Sequence, residues 1–200
     1  LQLMYSTKII WKFYRTMSFN LVFVYGTLKR NQPNHNLLMN KENGAAKLIN
    51  TGTTRQKYPL VIGSRYNIPY LLPAPGNGEH VQGEVYEVDN KMLGVLDILE
   101  CHPEYYERKG RKPPTEQRPL PEQYFCTVQI DKIILQDSEE EIDCWIYLLF
   151  RYKPHMMELP FLKAYFSEGD PEKKYVAKYS REVIGKEYWS DVKIMESPSK

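Results

Sequence analysis

Two places in this chain carry residues whose type and spacing suit proton transfer and anion binding. The first is Glu100, which closes the run Asn90-Lys91-Met92-Leu93-Gly94-Val95-Leu96-Asp97-Ile98-Leu99-Glu100. On a helical wheel of about 100 degrees per residue it falls between Leu93 and Leu96, at the edge of the arc formed by Met92, Leu96 and Leu99. An acid placed there is half turned toward a core, where desolvation disfavours the charged carboxylate. The last helical turn adds the negative end of the dipole, so both influences push the pKa upward. A carboxyl tuned in this way can take and return a proton near neutrality. The plain alternative is a boundary glutamate whose stem covers apolar surface while its head reaches water, and the wheel by itself favours that alternative.

The second place is Tyr25-Gly26-Thr27-Leu28, where the strand-like run Leu21-Val22-Phe23-Val24 ends abruptly and a basic, Pro-containing loop follows. Backbone N–H groups at such a strand end can hold an anion, and Gly26 permits a backbone approach that a side chain would block. The alternative is a glycine turn that merely ends a strand. Among other ionisable groups, Glu84 shares a strand face with Tyr86 opposite Val85, which leaves open whether it points inward or to water. Asp97 lies further from the apolar arc of its helix and reads as a solvated or helix-pairing residue. Cys101 and His102 adjoin Glu100, but sequence neighbours of this kind, with no oriented third partner, do not make a nucleophilic triad.

These segments, with Gly83-Glu84-Val85-Tyr86-Glu87-Val88 and Cys101-His102-Pro103-Glu104-Tyr105-Tyr106-Glu107-Arg108, resemble the γ-glutamylcyclotransferase-like family. The resemblance is closer to its γ-glutamylamine cyclotransferase branch, through Lys29-Arg30-Asn31-Gln32-Pro33-Asn34-His35, Tyr58-Pro59-Leu60-Val61-Ile62 and Asn67-Ile68-Pro69-Tyr70-Leu71-Leu72. It runs from Leu21 to Arg108, with an echo at Tyr165-Phe166-Ser167-Glu168-Gly169.

The resemblance implies an α+β fold, a small, mostly antiparallel β-barrel with flanking helices. It also implies a cofactor-independent lyase in which Glu100 is the catalytic acid and base. The main-chain N–H groups of Tyr25, Gly26, Thr27 and Leu28 would hold oxygens of a small-molecule γ-glutamyl substrate. The implied reaction cyclises that γ-glutamyl group to 5-oxoproline and frees an amine, as from γ-glutamyl-ε-lysine. A γ-glutamyl amino acid or dipeptide is the alternative substrate, and a non-catalytic binding module on the same fold is the alternative class. Tyr106 and Arg108 match the family's tail after the catalytic helix, where Arg108 is expected in a structural ion pair, with a hold on a carboxylate as the alternative. Asn31 stands where the family usually has Gly, and the Arg108 to Gln123 insertion is Pro-rich and charged. Both departures bear on loop shape and substrate access.

The elements that must position these residues follow from the apolar pattern. Strands are expected at Leu21–Val24, at Ala46–Tyr58 with a break at Gly52, and at Val81–Val88, Tyr124–Leu135 and Ile142–Phe150. Helices are expected at His35–Met39, capped from Pro33-Asn34, and at Asn90–Glu100. Pro59, Gly63, Pro69, Pro73, Pro75, Gly76 and Gly78 punctuate the middle of the chain, which reads as loops around a site. Asp137 to Glu141 reads as a solvated hairpin turn. The domain is expected at 20–170, between an extension at 1–19 and a tail at 171–200 draped over it or partly disordered.

Composition narrows the function classes. The 200 residues are 42% hydrophobic, enough for one domain with a full core, and the net charge of +2 supplies no field for nucleic acid. Cys101, Cys126 and Cys144 are odd in number and lack paired spacing, and the four histidines are scattered, so neither a disulfide framework nor a metal site is expected. No apolar run reaches the roughly 18 residues of a membrane-spanning helix, so no membrane partner is expected. A cytoplasmic monomer is expected. The basic first sixteen residues, with Ile9, Ile10, Trp11 and Phe13, also suit a mitochondrial presequence, and Met17 suits an alternative start.

Overall fold

The computed structural model describes residues 19–99, 126–169, 173–181 and 188–194. Glu100, Cys101, His102, Tyr106, Arg108 and the extension before residue 19 lie outside the described residues.

Strand β1 (Asn20–Val24) is buried on both faces, which is why it reads as an unbroken apolar run instead of an alternating one. Phe23 points to a core with Val81, Val85, Ile133 and Ile146, whereas Val22 and Val24 join a second cluster with Leu38, Met92, Leu93 and Leu96. The other strands are β2 (Ala46–Tyr58), β3 (Leu60–Gly63), β4 (Ile68–Leu71), β5 (Glu79–Val88), β6 (Cys126–Leu135) and β7 (Glu141–Leu149). They form a closed barrel in the order β1-β5-β2-β6-β7, with β3 and β4 as a separate two-stranded sheet. Neighbouring barrel strands are antiparallel except at the closure, where β1 meets β7 in parallel at Val22 and Trp145. Gly83 on β5 sits where a Cβ would come within 2.4 Å of the Phe23 ring, so glycine lets β1 and β5 close around the inner core.

Two helices cover the outer cluster: α1 (Asn36–Met39) and α2 (Asn90–Leu99). Asp89 caps α2, its Oδ1 accepting from the Met92 N–H at 2.7 Å, and Met92, Leu93 and Leu96 face the barrel. No described helix is long and apolar enough to cross a membrane.

Three local expectations are corrected. The middle of the chain is not all loop: β3 and β4 pair from Leu60 with Leu71 to Gly63 with Ile68, around a turn in which Ser64 and Asn67 take positive φ. Pro69 is tolerated in β4 because a two-stranded sheet leaves an outer edge that needs no donor. Gly52 does not break β2; it pairs with Gly83 on one side and Leu135 on the other, and the irregularities fall at Leu48/Asn50 and Thr53/Lys57. Asn34 does not cap α1, which begins after His35 without a side-chain cap.

Tyr175 meets Asn34 in the loop after β1, Val176 meets Tyr66 in the β3–β4 turn, and α3 (Trp189–Val192) buries Trp189 and Val192 in a third cluster with Val61, Tyr70, Leu72, Leu149 and Met156.

Candidate active site

The loop after β1 is the part of the expected site that the described residues contain. Its backbone is set by two turns, Lys29 N–H to the Gly26 carbonyl at 3.2 Å and Gln32 N–H to the Lys29 carbonyl at 3.0 Å. Asn34 folds back on it twice: its N–H donates to the Thr27 carbonyl at 2.9 Å, and its side-chain amide donates to Thr27 Oγ1 at 2.9 Å. His35 Nδ1 lies 3.0 Å from the Leu28 carbonyl oxygen. The carbonyls of Gly26, Thr27 and Leu28 are therefore all engaged. The N–H groups of the same three residues take no part in the described hydrogen bonds. Three adjacent donors on a rigid turn can receive polar oxygens, and fixed donors do so with little reorganisation.

Gly26 does serve a close approach, and the partner is Pro69 of β4: a Cβ on Gly26 would come within 3.0 Å of the proline ring. Tyr25 anchors the loop to the closing strand, its hydroxyl donating to the Tyr147 carbonyl at 2.7 Å. The Tyr147 hydroxyl in turn donates to Asp97 Oδ1 at 2.7 Å. Asp97, read from sequence as solvated or paired along its helix, instead ties α2 to the barrel. Glu100, three residues on, lies outside the described residues.

A second set of polar groups backs the loop. Glu84 is buried and accepts from the Arg30 N–H, Arg30 Nε and the Tyr86 hydroxyl, each at 2.9 Å. Burial alone would raise its pKa, but the donors from Arg30 and Tyr86 together outweigh it and hold the carboxyl below its ordinary value. The orientation left open by the sequence is thus resolved: Glu84 points to the outer face of the barrel, where it clasps the loop. Lys29 is buried too, and its Nζ donates to the Tyr165 carbonyl at 2.8 Å and lies 4.8 Å from the Phe166 ring centroid. Desolvation lowers its pKa, with Glu84 opposing. The Ser167 N–H donates to Gln32 Oε1 at 2.8 Å, so the Tyr165–Ser167 segment lies directly on the loop. Lys29, Glu84, Glu139 and Phe166 also border a groove of about 520 Å³.

Sequence reasoning did not find Asn34, Lys29 or Tyr147 in these roles. The Lys-Arg-Asn-Gln-Pro-Asn-His run marked the loop, but the bonds of Lys29 and Tyr25 span 136 and 122 residues, beyond any local pattern.

Comparison with known proteins adds to this geometry. The family model described as gamma-glutamyl cyclotransferase, AIG2-like, matches residues 22–165. A Drosophila melanogaster protein with the provisional name gamma-glutamylcyclotransferase is 43% identical over 166 residues, 83% of this chain and 91% of its own. The Homo sapiens gamma-glutamylaminecyclotransferase is 37% identical over 169 residues, 80% of this chain and 99% of its own. The crystal structure of an AIG2-like protein from Mus musculus superposes with a TM-score of 0.68 at 32% identity, covering 82% of this chain and 99% of that one.

Proposed function

The chain belongs to the gamma-glutamyl cyclotransferase, AIG2-like family, and from that premise we propose that it is a γ-glutamylamine cyclotransferase. It cyclises the γ-glutamyl group of a γ-glutamylamine, such as γ-glutamyl-ε-lysine, to 5-oxoproline and frees the amine. The observation that carries the reading is the turn at Gly26, Thr27 and Leu28, whose carbonyls are all engaged while its three N–H groups take no part in the hydrogen bonds among the described residues.

The substrate supplies its own nucleophile. Its α-nitrogen, once deprotonated, attacks the γ-carbonyl carbon; the new C–N bond closes a five-membered ring as the original amide C–N bond breaks. Two protons leave the α-ammonium as it becomes the ring N–H, one before the attack and one after it; one completes the departing amine and the other converts that amine to its ammonium. Glu100 is assigned that transfer, as base and then as acid, on its match to the family's catalytic glutamate. The negative oxygen of the tetrahedral centre is assigned to the N–H groups of the Tyr25–Leu28 loop, where one such donor in other enzymes is worth about 2.7 to 4 kcal/mol. Because both reacting groups belong to one glutamyl unit, most of the acceleration comes from holding that unit in the attacking geometry.

The test is 5-oxoproline release from γ-glutamyl-ε-lysine and, in parallel, from γ-glutamyl-alanine, with the wild-type chain and its Glu100→Gln variant. Turnover of the lysine substrate, lost by at least a hundredfold in Glu100→Gln, supports the reading. Preference for the alanine substrate would move the chain to the amino-acid branch. A folded wild-type chain inert to both would leave a binding module on the same fold.

A further inference from the structure

The Thr27 side of the loop is held from outside the barrel. The Asn34 amide nitrogen that donates to Thr27 Oγ1 also lies 3.3 Å from the Tyr175 hydroxyl oxygen, 141 residues away. That same oxygen accepts from an Arg181 terminal nitrogen at 3.2 Å. Arg181 is fixed in turn: its Nε donates to the Val176 carbonyl at 3.1 Å, and its guanidinium lies 4.9 Å from the Tyr66 ring centroid and 5.2 Å from that of Tyr188. Val176 N–H donates to the Tyr66 carbonyl at 3.1 Å, and the Asn67 amide donates to the Lys174 carbonyl at 3.0 Å, so the segment is pinned to the β3–β4 turn.

We infer that Tyr175 and Arg181 are positioning residues for the substrate loop, acting through Asn34. The chemistry of the contacts supports this direction of control. The Asn34 side-chain nitrogen has two protons, and they go to Thr27 Oγ1 and Tyr175, so the amide cannot rotate without giving up one partner. The Tyr175 oxygen has two lone pairs, taken by Asn34 and by Arg181. A planar guanidinium can hold a carbonyl and a phenol at once while stacked between rings; an ammonium cannot. The relay thus runs from a stacked cation to the residue that sets Thr27. It orders the loop before substrate arrives, so its loss falls on binding more than on the chemical step. This inference rests on the cyclotransferase reading for its kinetic consequences and on the hydrogen bonds alone for its structural one.

The experiment uses the full chain with Tyr175→Phe, Arg181→Lys and Asn34→Ala, and Tyr179→Ala as a control at an exposed site in the same segment. With γ-glutamyl-ε-lysine, Tyr175→Phe and Arg181→Lys each raise KM about tenfold with kcat changed less than threefold, and Tyr179→Ala matches wild type. In the Asn34→Ala background the Tyr175→Phe effect shrinks to less than twofold, because the relay is already cut. Amide hydrogen exchange at Lys29 and Asn34, whose N–H groups donate to the Gly26 and Thr27 carbonyls, speeds up in Tyr175→Phe, whether or not the substrate is the right one. Unchanged exchange there, or a Tyr175→Phe effect that adds in full to that of Asn34→Ala, would overturn the inference. Faster exchange in a wild-type background that turns over neither substrate would sink the cyclotransferase reading and leave the positioning role standing.

Discussion

The hydroxyl of Tyr25 donates to the backbone carbonyl of Tyr147 at 2.7 Å, which binds the first residue of the loop after β1 to the strand that closes the barrel. Tyr147 passes the connection on through its own hydroxyl to Asp97, so the loop after β1 and the last turn of α2 are referenced to a single residue, one by its backbone and the other by its side chain.

Removing that hydroxyl uncouples the loop after β1 from α2. Tyr147→Phe keeps the ring in its cluster and removes the hydrogen bond to Asp97; we expect kcat/KM for γ-glutamyl-ε-lysine to fall about tenfold and stability to fall by about 1 kcal/mol. Steady-state kinetics beside a urea titration checks this. A variant with wild-type kcat/KM would show that the Asp97 tether does not serve the reaction.

Glu84 gives a pH-dependent stability with a definite sign. Its folded pKa lies below the ordinary 4.5, so the stability it contributes is complete above pH 4.5 and is lost as pH falls through the lower folded value. Glu84→Gln cannot accept from all three donors and sets an amide proton against Arg30; we expect a loss of about 2 kcal/mol at pH 7. The gap between the variant and wild type narrows as pH drops from about 4.5 toward 2. Thermal melts across that range would contradict the assignment if the gap were constant.

Asn31 occupies the left-handed region at φ 61°, which explains how it can replace glycine in this loop. Asn31→Gly should change stability by less than about 0.5 kcal/mol, whereas Asn31→Val should cost about 1 to 2 kcal/mol. Chemical denaturation of the pair distinguishes a conformational requirement from a side-chain one. Equal stabilities would mean that the backbone moves out of this region on substitution.

Cys144 is buried, and desolvation followed by the nearby Asp143 pushes its thiol up to about 12. At pH 8 only about one molecule in ten thousand then carries the reactive thiolate. Iodoacetamide at pH 8 should leave Cys144 unlabelled in the native chain and label it fully in denaturant, as read by peptide mass spectrometry. Native labelling within minutes would contradict this.

Sequence made some of this architecture readable and could not reach the rest. The apolar run of β1 and the spacing of Met92, Leu93 and Leu96 in α2 declare themselves because burial on a strand or helix imposes a local period. The family resemblance rightly gave a mostly antiparallel barrel. The β3–β4 hairpin was hidden because Gly63 and Pro69, which read as breakers, sit at positions where a two-stranded sheet tolerates them. Tyr25 to Leu28 stood out through the abrupt end of an apolar strand, yet the contacts that give the loop its shape come from Asn34, Glu84, Tyr147 and Tyr165, and three of these four lie more than fifty residues away. No periodicity encodes a pairing of that kind. Tyr175 illustrates the same limit, since a segment poor in aliphatics reads as a tail even though one phenol in it meets the loop.

The closure of the barrel between β1 and β7 has a consequence in time. The loop's ties to β7, Tyr165 and Tyr175 span 122, 136 and 141 residues, so no partial chain ending before Tyr175 carries the complete set. Contacts so distant in sequence are entropically costly to close and form late. During synthesis the loop would leave the ribosome among the earliest segments of the domain and acquire its shape among the last, so competence would arrive as a single late event once the carboxy-terminal region is free to dock.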